Sequence, residues 1–204
     1  MPPELRFDGP EDAPLTFALA HGAGAAMDSP FMNAVAEGLA AEFRVARFEF
    51  PYMAARRKDG TKRPPDPLPV LRDTWLEVIE ALGADALVIG GKSLGGRIAS
   101  FVAEKAAVRG LVCLGYPFHP PGVPETVHIP YLLDMRMPAL ILQGTRDPCG
   151  RPAEVRTYGL PPNVRLHWLA EGDHSFAPPK SSGRTQAENL NEAVAAILDF
   201  ASAL

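Results

Sequence analysis

The sequence predicts a three-layer α/β/α sandwich around a mostly parallel sheet of six or seven strands. Short apolar runs alternate with segments of helical period along the chain, the pattern of repeated strand–helix–strand units. Several of those runs are continuously apolar, as strands are when helices cover both faces of a parallel sheet. Polar, glycine-containing motifs follow the runs, where the carboxyl ends of parallel strands place working groups.

Strand-like runs are "LTFALA" at 15–20, "FRVARFEF" at 43–50, "DALVIG" at 85–90, "GLVCLG" at 110–115, "PALILQG" at 138–144 and "VRLHWL" at 164–169. Residues 5–8, "LRFD", are a weaker edge strand in polar surroundings. Helical period fits 30–41, 68–82, 94–107 and 186–202, with a short helix or turn near 152–158. Ser29 followed by Pro30 reads as a cap and first-turn proline, while Gly83 and Gly110 punctuate helix ends. The segment 51–67, "PYMAARRKDGTKRPPDP", reads as irregular. With 204 residues, 47% of them hydrophobic, the chain builds one sizeable core and is read as a single domain over 1–204.

The 20 basic and 24 acidic side chains give a net charge of −4, which opposes general attraction to nucleic acid. No apolar run approaches the roughly 20 residues of a membrane span. The start "MPPELRFDGPEDAP" has no basic segment leading into an apolar one, so no signal peptide is expected. Cys113 falls in a strand and Cys149 in a loop; unpaired thiols fit a reducing compartment, and a cytoplasmic location is expected.

The stretch "VIGGKSLGGR" admits two readings, a phosphate-binding P-loop or a nucleophile elbow. A P-loop needs a glycine five residues before Gly91, and that position is Ala86, within a strand. In the elbow reading, Gly91 and Gly95 flank Ser93 where a sharp strand-to-helix turn crowds the backbone. Asp147 then follows the strand 138–144 in "QGTRDP", and His174 follows 164–169 in "EGDHSF". An imidazole that takes a hydroxyl proton and a carboxylate that fixes its tautomer are the partners a serine nucleophile needs. Asp134 is a weaker candidate for the acid, and Asp173 is expected to shape the turn beside His174.

Acyl transfer also requires donors for the developing oxyanion. The Leu94 N–H, directly after the nucleophile, supplies one. "HGAGAAMDS" supplies the other, from Ala23 with Gly22 and Gly24 as alternatives, and His21 is expected to buttress this loop. Lys92 adjoins the nucleophile, but the elbow directs it away from the hydroxyl, toward a role in stability or anion affinity.

Together, "HGAGA", "GGKSLGGR", "LGYPFHPPG", "LQGTRDPCG" and "GDHSF" resemble the α/β-hydrolase fold superfamily over residues 14–202. Within it the chain is similar to the compact hydrolase-like proteins of the testis-expressed type and their bacterial dienelactone-hydrolase-like relatives. The resemblance implies Ser93 as nucleophile, Asp147 as acid, His174 as base, and Ala23 and Leu94 as oxyanion donors. Dienelactone hydrolases proper carry a cysteine at the elbow, so their substrate does not carry over. Haloalkane dehalogenases would place an aspartate there.

The proline-rich "YPFHPPGVPETVHIPYLLDMR", where many relatives insert a lid, is too short for a substantial helical one. Phe118, His119 and Tyr131 are candidate pocket walls there, together with Gly22 and Gly24 of the loop after the first strand. Arg56, Arg57, Lys58, Lys62 and Arg63, opposed only by Asp59, form a basic cluster that suits an anionic substrate group, a protein partner or ordinary solvation. No H-x-x-x-H or C-x-x-C pair points to a metal, and "HGAGAAM" lacks dinucleotide-binding spacing, so no metal or cofactor is expected. The expectation is a serine hydrolase of small or exposed esters that does not bind nucleic acid or membrane and is a monomer or homodimer. The alternatives are a thioesterase or peptidase with the same triad, or a noncatalytic protein retaining the fold.

Overall fold

The computed structural model describes residues 3–204. Seven strands form one sheet: β1 (Arg6–Asp8), β2 (Thr16–Ala20), β3 (Arg44–Phe48), β4 (Leu87–Lys92), β5 (Gly110–Leu114), β6 (Ala139–Gly144) and β7 (Val164–Leu169). Their spatial order is β1-β3-β2-β4-β5-β6-β7. The edge strand β1 runs antiparallel to β3, and every other pairing is parallel. Arg47 holds that edge in place. Its nearly buried guanidinium reaches Asp8 at 2.7 Å, Asn33 Oδ1 at 2.6 Å and the Met27 carbonyl at 3.0 Å, joining β1, β3 and the segment leading into the first helix.

The helices are α1 (Pro30–Leu39), α2 (Pro51–Asp59), α3 (Leu68–Leu82), α4 (Leu94–Ala106), α5 (Pro130–Leu133), α6 (Pro152–Val155) and α7 (Gln186–Ser202). Successive strand residues point to opposite faces, and two cores result. Phe17, Leu19, Val88, Val112 and Leu140 meet α1 and α7. Ala18, Ala20, Ile89, Leu111 and Ile141 meet α2, α3 and α4, where Trp75 packs edge-on against Phe48. Both faces are covered, which accounts for the continuously apolar strands.

The path of the chain positions the site. From β2 it moves to β3, then crosses back over β2 to reach β4, and from there proceeds to β7. The direction reverses between β2 and β4, and ligands of open parallel sheets bind in the crevice beyond the carboxyl ends at such a switch point. The loop Gly22–Gly24 leaves β2 there, and Ser93 leaves β4.

The segment 51–67 is not wholly irregular, because α2 occupies its first half. Pro51 sits at the first helical position, where its missing N–H costs nothing, and Gly60 ends the helix in the left-handed region at φ 74°. The Tyr52 N–H donates to Asp66 at 2.8 Å, so the extended stretch that follows folds back to cap the helix start. Tyr52 and Met53 bury one face, while Arg56, Arg57 and Lys58 occupy the last turn, where the helix dipole favours cations. The Tyr116–Arg136 connection contains only the one-turn α5, and among the described residues no lid covers the strand ends. Among the described residues, no helix is long and apolar enough to cross a membrane.

Candidate active site

Ser93 stands between β4 and α4 at φ 50°, a left-handed conformation that costs a non-glycine residue on the order of 1–3 kcal/mol. Packing around the turn enforces it. A Cβ on Gly91 would lie 2.1 Å from the Ala20 carbonyl, and one on Gly95 would lie 2.6 Å from the same oxygen. The elbow is therefore pressed against β2, and only glycine fits two positions to either side of the serine.

The Ser93 hydroxyl lies 2.8 Å from His174 Nε2, and His174 Nδ1 lies 2.8 Å from Asp147 Oδ2. With the proton on Nδ1, the imidazole donates to the carboxylate and accepts from the serine, as a general base must. Asp147 is fully buried, and two further donors meet it: Gln143 Nε2 on Oδ2 at 2.9 Å and the Cys149 N–H on Oδ1 at 2.8 Å. Asp173 turns the other way. Its Oδ1 accepts from the N–H groups of Ser175 and Ala177 and shapes the loop that carries His174. Asp134 lies exposed at the end of α5.

The Gly22–Gly24 loop is held by its carbonyls. The Gly22 carbonyl lies 2.7 Å from His21 Nδ1, the Ala23 carbonyl accepts from the Tyr52 hydroxyl at 3.1 Å, and the Gly24 carbonyl accepts from Arg56 Nη1 at 3.3 Å. In a trans peptide the N–H points opposite to the preceding C=O. Fixing the Gly22, Ala23 and Gly24 carbonyls therefore fixes the N–H groups of Ala23, Gly24 and Ala25. Among the described residues, neither the Ala23 nor the Leu94 N–H has a backbone acceptor in a turn or loop. His21 Nε2 accepts from the Phe50 N–H at 3.2 Å, and burial lowers its pKa, so this histidine is a neutral brace.

A cavity of about 380 Å³ opens on Ser93 and His174, walled by Gly22, Ala23, Gly24, Ala25, Phe31 and Met32. Phe118, His119 and Tyr131 do not line it. The Tyr116 hydroxyl donates to the His128 carbonyl at 2.8 Å and the His128 N–H to the Phe118 carbonyl at 2.7 Å, folding their loop back on itself. Phe118 is buried between Tyr116 and Tyr158, His119 is buried and bonded to the Pro120 carbonyl, and Tyr131 packs tilted against Phe101. The wall comes from the loop after β2, where Gly22 and Gly24 line it as expected, and from Phe31 and Met32 in the first turn of α1.

The basic cluster is partly neutralised by carboxylates. Arg57 binds both Glu49 and Asp28, and Arg63 binds Asp59 at 2.5 Å. Arg56 braces the loop at Gly24, and Lys62 is exposed. Two further side chains support the site without belonging to its motifs: Gln143 bonds Asp147, and Tyr52 braces the Ala23 carbonyl. "LQGTRDP" places a polar residue inside an apolar strand, which was the available signal for the first. The proline–glycine punctuation of 51–60 was the signal for the second. Cys149, Asp147 and His174 bring possible metal-ligating atoms within 4.8 Å of one another. Burial pushes the Cys149 thiol up to about 11, and Asp147 and His174 are already bonded to each other.

The fold has counterparts among known structures. Est1E from Butyrivibrio proteoclasticus superposes with a TM-score of 0.73 at 15% identity, over 98% of this chain and 94% of that one. A dienelactone hydrolase from Anabaena variabilis gives 0.70 at 20% identity, over 96% and 90%. A serine hydrolase without a lid from Xanthomonas campestris gives 0.64 at 18%, over 95% and 88%. At these identities the likeness shows the fold. The family described as the alpha/beta hydrolase domain matches residues 13–202, nearly the whole chain, and this protein belongs to it.

Proposed function

We propose that this chain is a serine hydrolase that cleaves small or exposed carboxylic esters through a covalent acyl-enzyme. The observation that carries the reading is the hydrogen-bonded relay Ser93–His174–Asp147, with 2.8 Å at each link, on a serine held at φ 50° at the mouth of the cavity. Ser93 Oγ attacks the substrate carbonyl carbon while His174 Nε2 takes its proton. The tetrahedral oxyanion accepts from the Ala23 and Leu94 N–H groups. As the ester C–O bond breaks, His174 returns the proton to the leaving alcohol. Water then repeats the sequence on the acyl group, releasing the acid and restoring Ser93. Asp147 holds the imidazole in the productive tautomer throughout.

No step needs a metal or cofactor. An uncovered site suits a substrate that is small, or whose acyl group stands clear of a larger body. The two free, buried cysteines favour a reducing compartment and thus the cytoplasm. A fluorophosphonate probe tests the reading: it should label Ser93, and Ser93→Ala should abolish the label. Activity across short esters, thioesters, lactones and aminoacyl substrates then sets the class. Neither labelling nor turnover would mean a noncatalytic protein that kept the fold.

A further inference from the structure

The cavity at Ser93 contains one cation that the relay does not use. Lys92 ends β4 next to the nucleophile, is only 9% exposed, and lines the same cavity as Ser93 and His174. Its Nζ donates to the His174 carbonyl at 2.6 Å and stands 5.6 Å from the Phe31 ring centre. An ammonium carries three donors, and no carboxylate lies within 4.0 Å of this one among the described residues. A buried charge without a counter-charge is costly, and burial pulls this lysine down to about 8.

The charged neighbours do not neutralise it at contact. Asp147 is buried and bonded to His174, Gln143 and the Cys149 N–H, Asp173 holds Ser175 and Ala177, and the Cys149 thiol is protonated. Beside Ser93 and His174, the rest of the wall consists of glycine, alanine, Ser29, Phe31, Met32 and Ser175. Holding the His174 carbonyl needs only a neutral donor and does not account for a charge in this position. The anion-attracting role suggested by the exposed cluster at 56–63 has a better-placed cation here.

We propose that Lys92 is the substrate-selecting cation of the cavity, and that the preferred substrates are esters carrying a free carboxylate a few bonds from the scissile carbonyl. This rests on the serine-hydrolase reading. The carboxylate would accept from the free Nζ donors, and apolar walls would exclude the water that weakens such a pair.

Two matched pairs of esters test it, followed by pH-stat at pH 7 on the full chain. Monoethyl glutarate is compared with its neutral isostere ethyl 5-methylhexanoate, which places the charge on the acid fragment. Acetoxybutanoate, esterified at its terminal hydroxyl, is compared with 4-methylpentyl acetate, which places the charge on the alcohol fragment. The wild type should prefer the charged member of at least one pair by about 10–100-fold in kcat/KM, the worth of one charge-assisted hydrogen bond. Lys92→Gln keeps a donor for the His174 carbonyl and removes the charge, so it should collapse that ratio, chiefly by raising KM for the charged ester. Should the variant fail to fold, the wild type still decides. Its preference in kcat/KM, which follows ionisation of the free enzyme, should decline as pH rises through about 8. Equal rates within both pairs on a chain whose Ser93 is labelled, or a preference that survives both the substitution and the pH rise, overturns the proposal. Absence of labelling is a different result and overturns the hydrolase reading itself.

Discussion

Tyr52→Phe removes one oxygen atom from a buried ring and leaves the packing volume nearly unchanged. The hydroxyl donates to the Ala23 carbonyl at 3.1 Å and lies 3.4 Å from the Gly22 carbonyl. Losing such a bond costs about 0.5–1.5 kcal/mol net, and exposed Ala23 has water as a substitute, so Tm should drop by only about 2–4 °C. Turnover should suffer more. Deleting an oxyanion donor costs about 10²–10³ in kcat. This substitution keeps the Ala23 N–H but frees the peptide planes beside it, so a loss of about tenfold is expected. The interaction matters in the transition state, so kcat should fall with KM held within about twofold. Steady-state hydrolysis of p-nitrophenyl acetate with parallel thermal melts makes the measurement. Unchanged kcat alongside the lowered Tm would show that Tyr52 only packs, and that the loop holds its N–H groups without α2.

Asp147→Asn replaces an acceptor-only group, met by three donors, with one that must turn an NH₂ toward at least one of them. The imidazole then loses its productive tautomer, and turnover should fall by roughly 10²–10⁴-fold while circular dichroism still shows a folded chain; a loss under tenfold would remove Asp147 from the relay. Gly91→Ala places a Cβ 2.1 Å from a strand carbonyl that cannot retreat, so soluble yield or Tm should collapse, with a cost above about 4 kcal/mol; a variant as stable as wild type would mean the elbow is not pressed against β2. Burial lowers the pKa of His21 in the folded chain, so the unfolded chain binds the extra proton. The stability this histidine contributes is therefore complete above its unfolded value near 6.5 and is lost as pH falls below it, with a slope of at most about 1.4 kcal/mol per pH unit. Ring-nitrogen NMR checks this directly, and half-protonation of His21 at pH 6.5 in the folded chain would contradict it.

Ser93, Asp147 and His174 were legible because each follows an apolar strand closely enough for the strand to dictate where it emerges. Boundaries were less so. The run 85–90 continues as a strand to Lys92, because Gly91 pairs with both Ala20 and Cys113 even though glycine weakens a strand by propensity. The weak "LRFD" edge became β1 through Arg47, whose contacts with Asp8, Asn33 and Met27 span 39, 14 and 20 positions of sequence. No local window contains them.

The cavity walls show where local reading stops. Phe118 and Phe31 are the same residue type, the first in a proline-rich loop and the second in the first turn of α1, and local sequence gives the loop residue the better claim to a pocket. The outcome turned on backbone partners elsewhere. The Tyr116 hydroxyl and the His128 N–H draw Phe118 back under Tyr158. Ser29 caps α1 so that Phe31 begins a helix at the cavity edge, within reach of Lys92. The same holds for α2. Its punctuation could have revealed a helix, but only the path of the chain back over β2 brings Tyr52 and Arg56 to the carbonyls of Ala23 and Gly24. Residue type and spacing therefore disclosed the Ser93–His174–Asp147 relay, whereas the braces and walls around it arise from contacts between segments far apart in sequence.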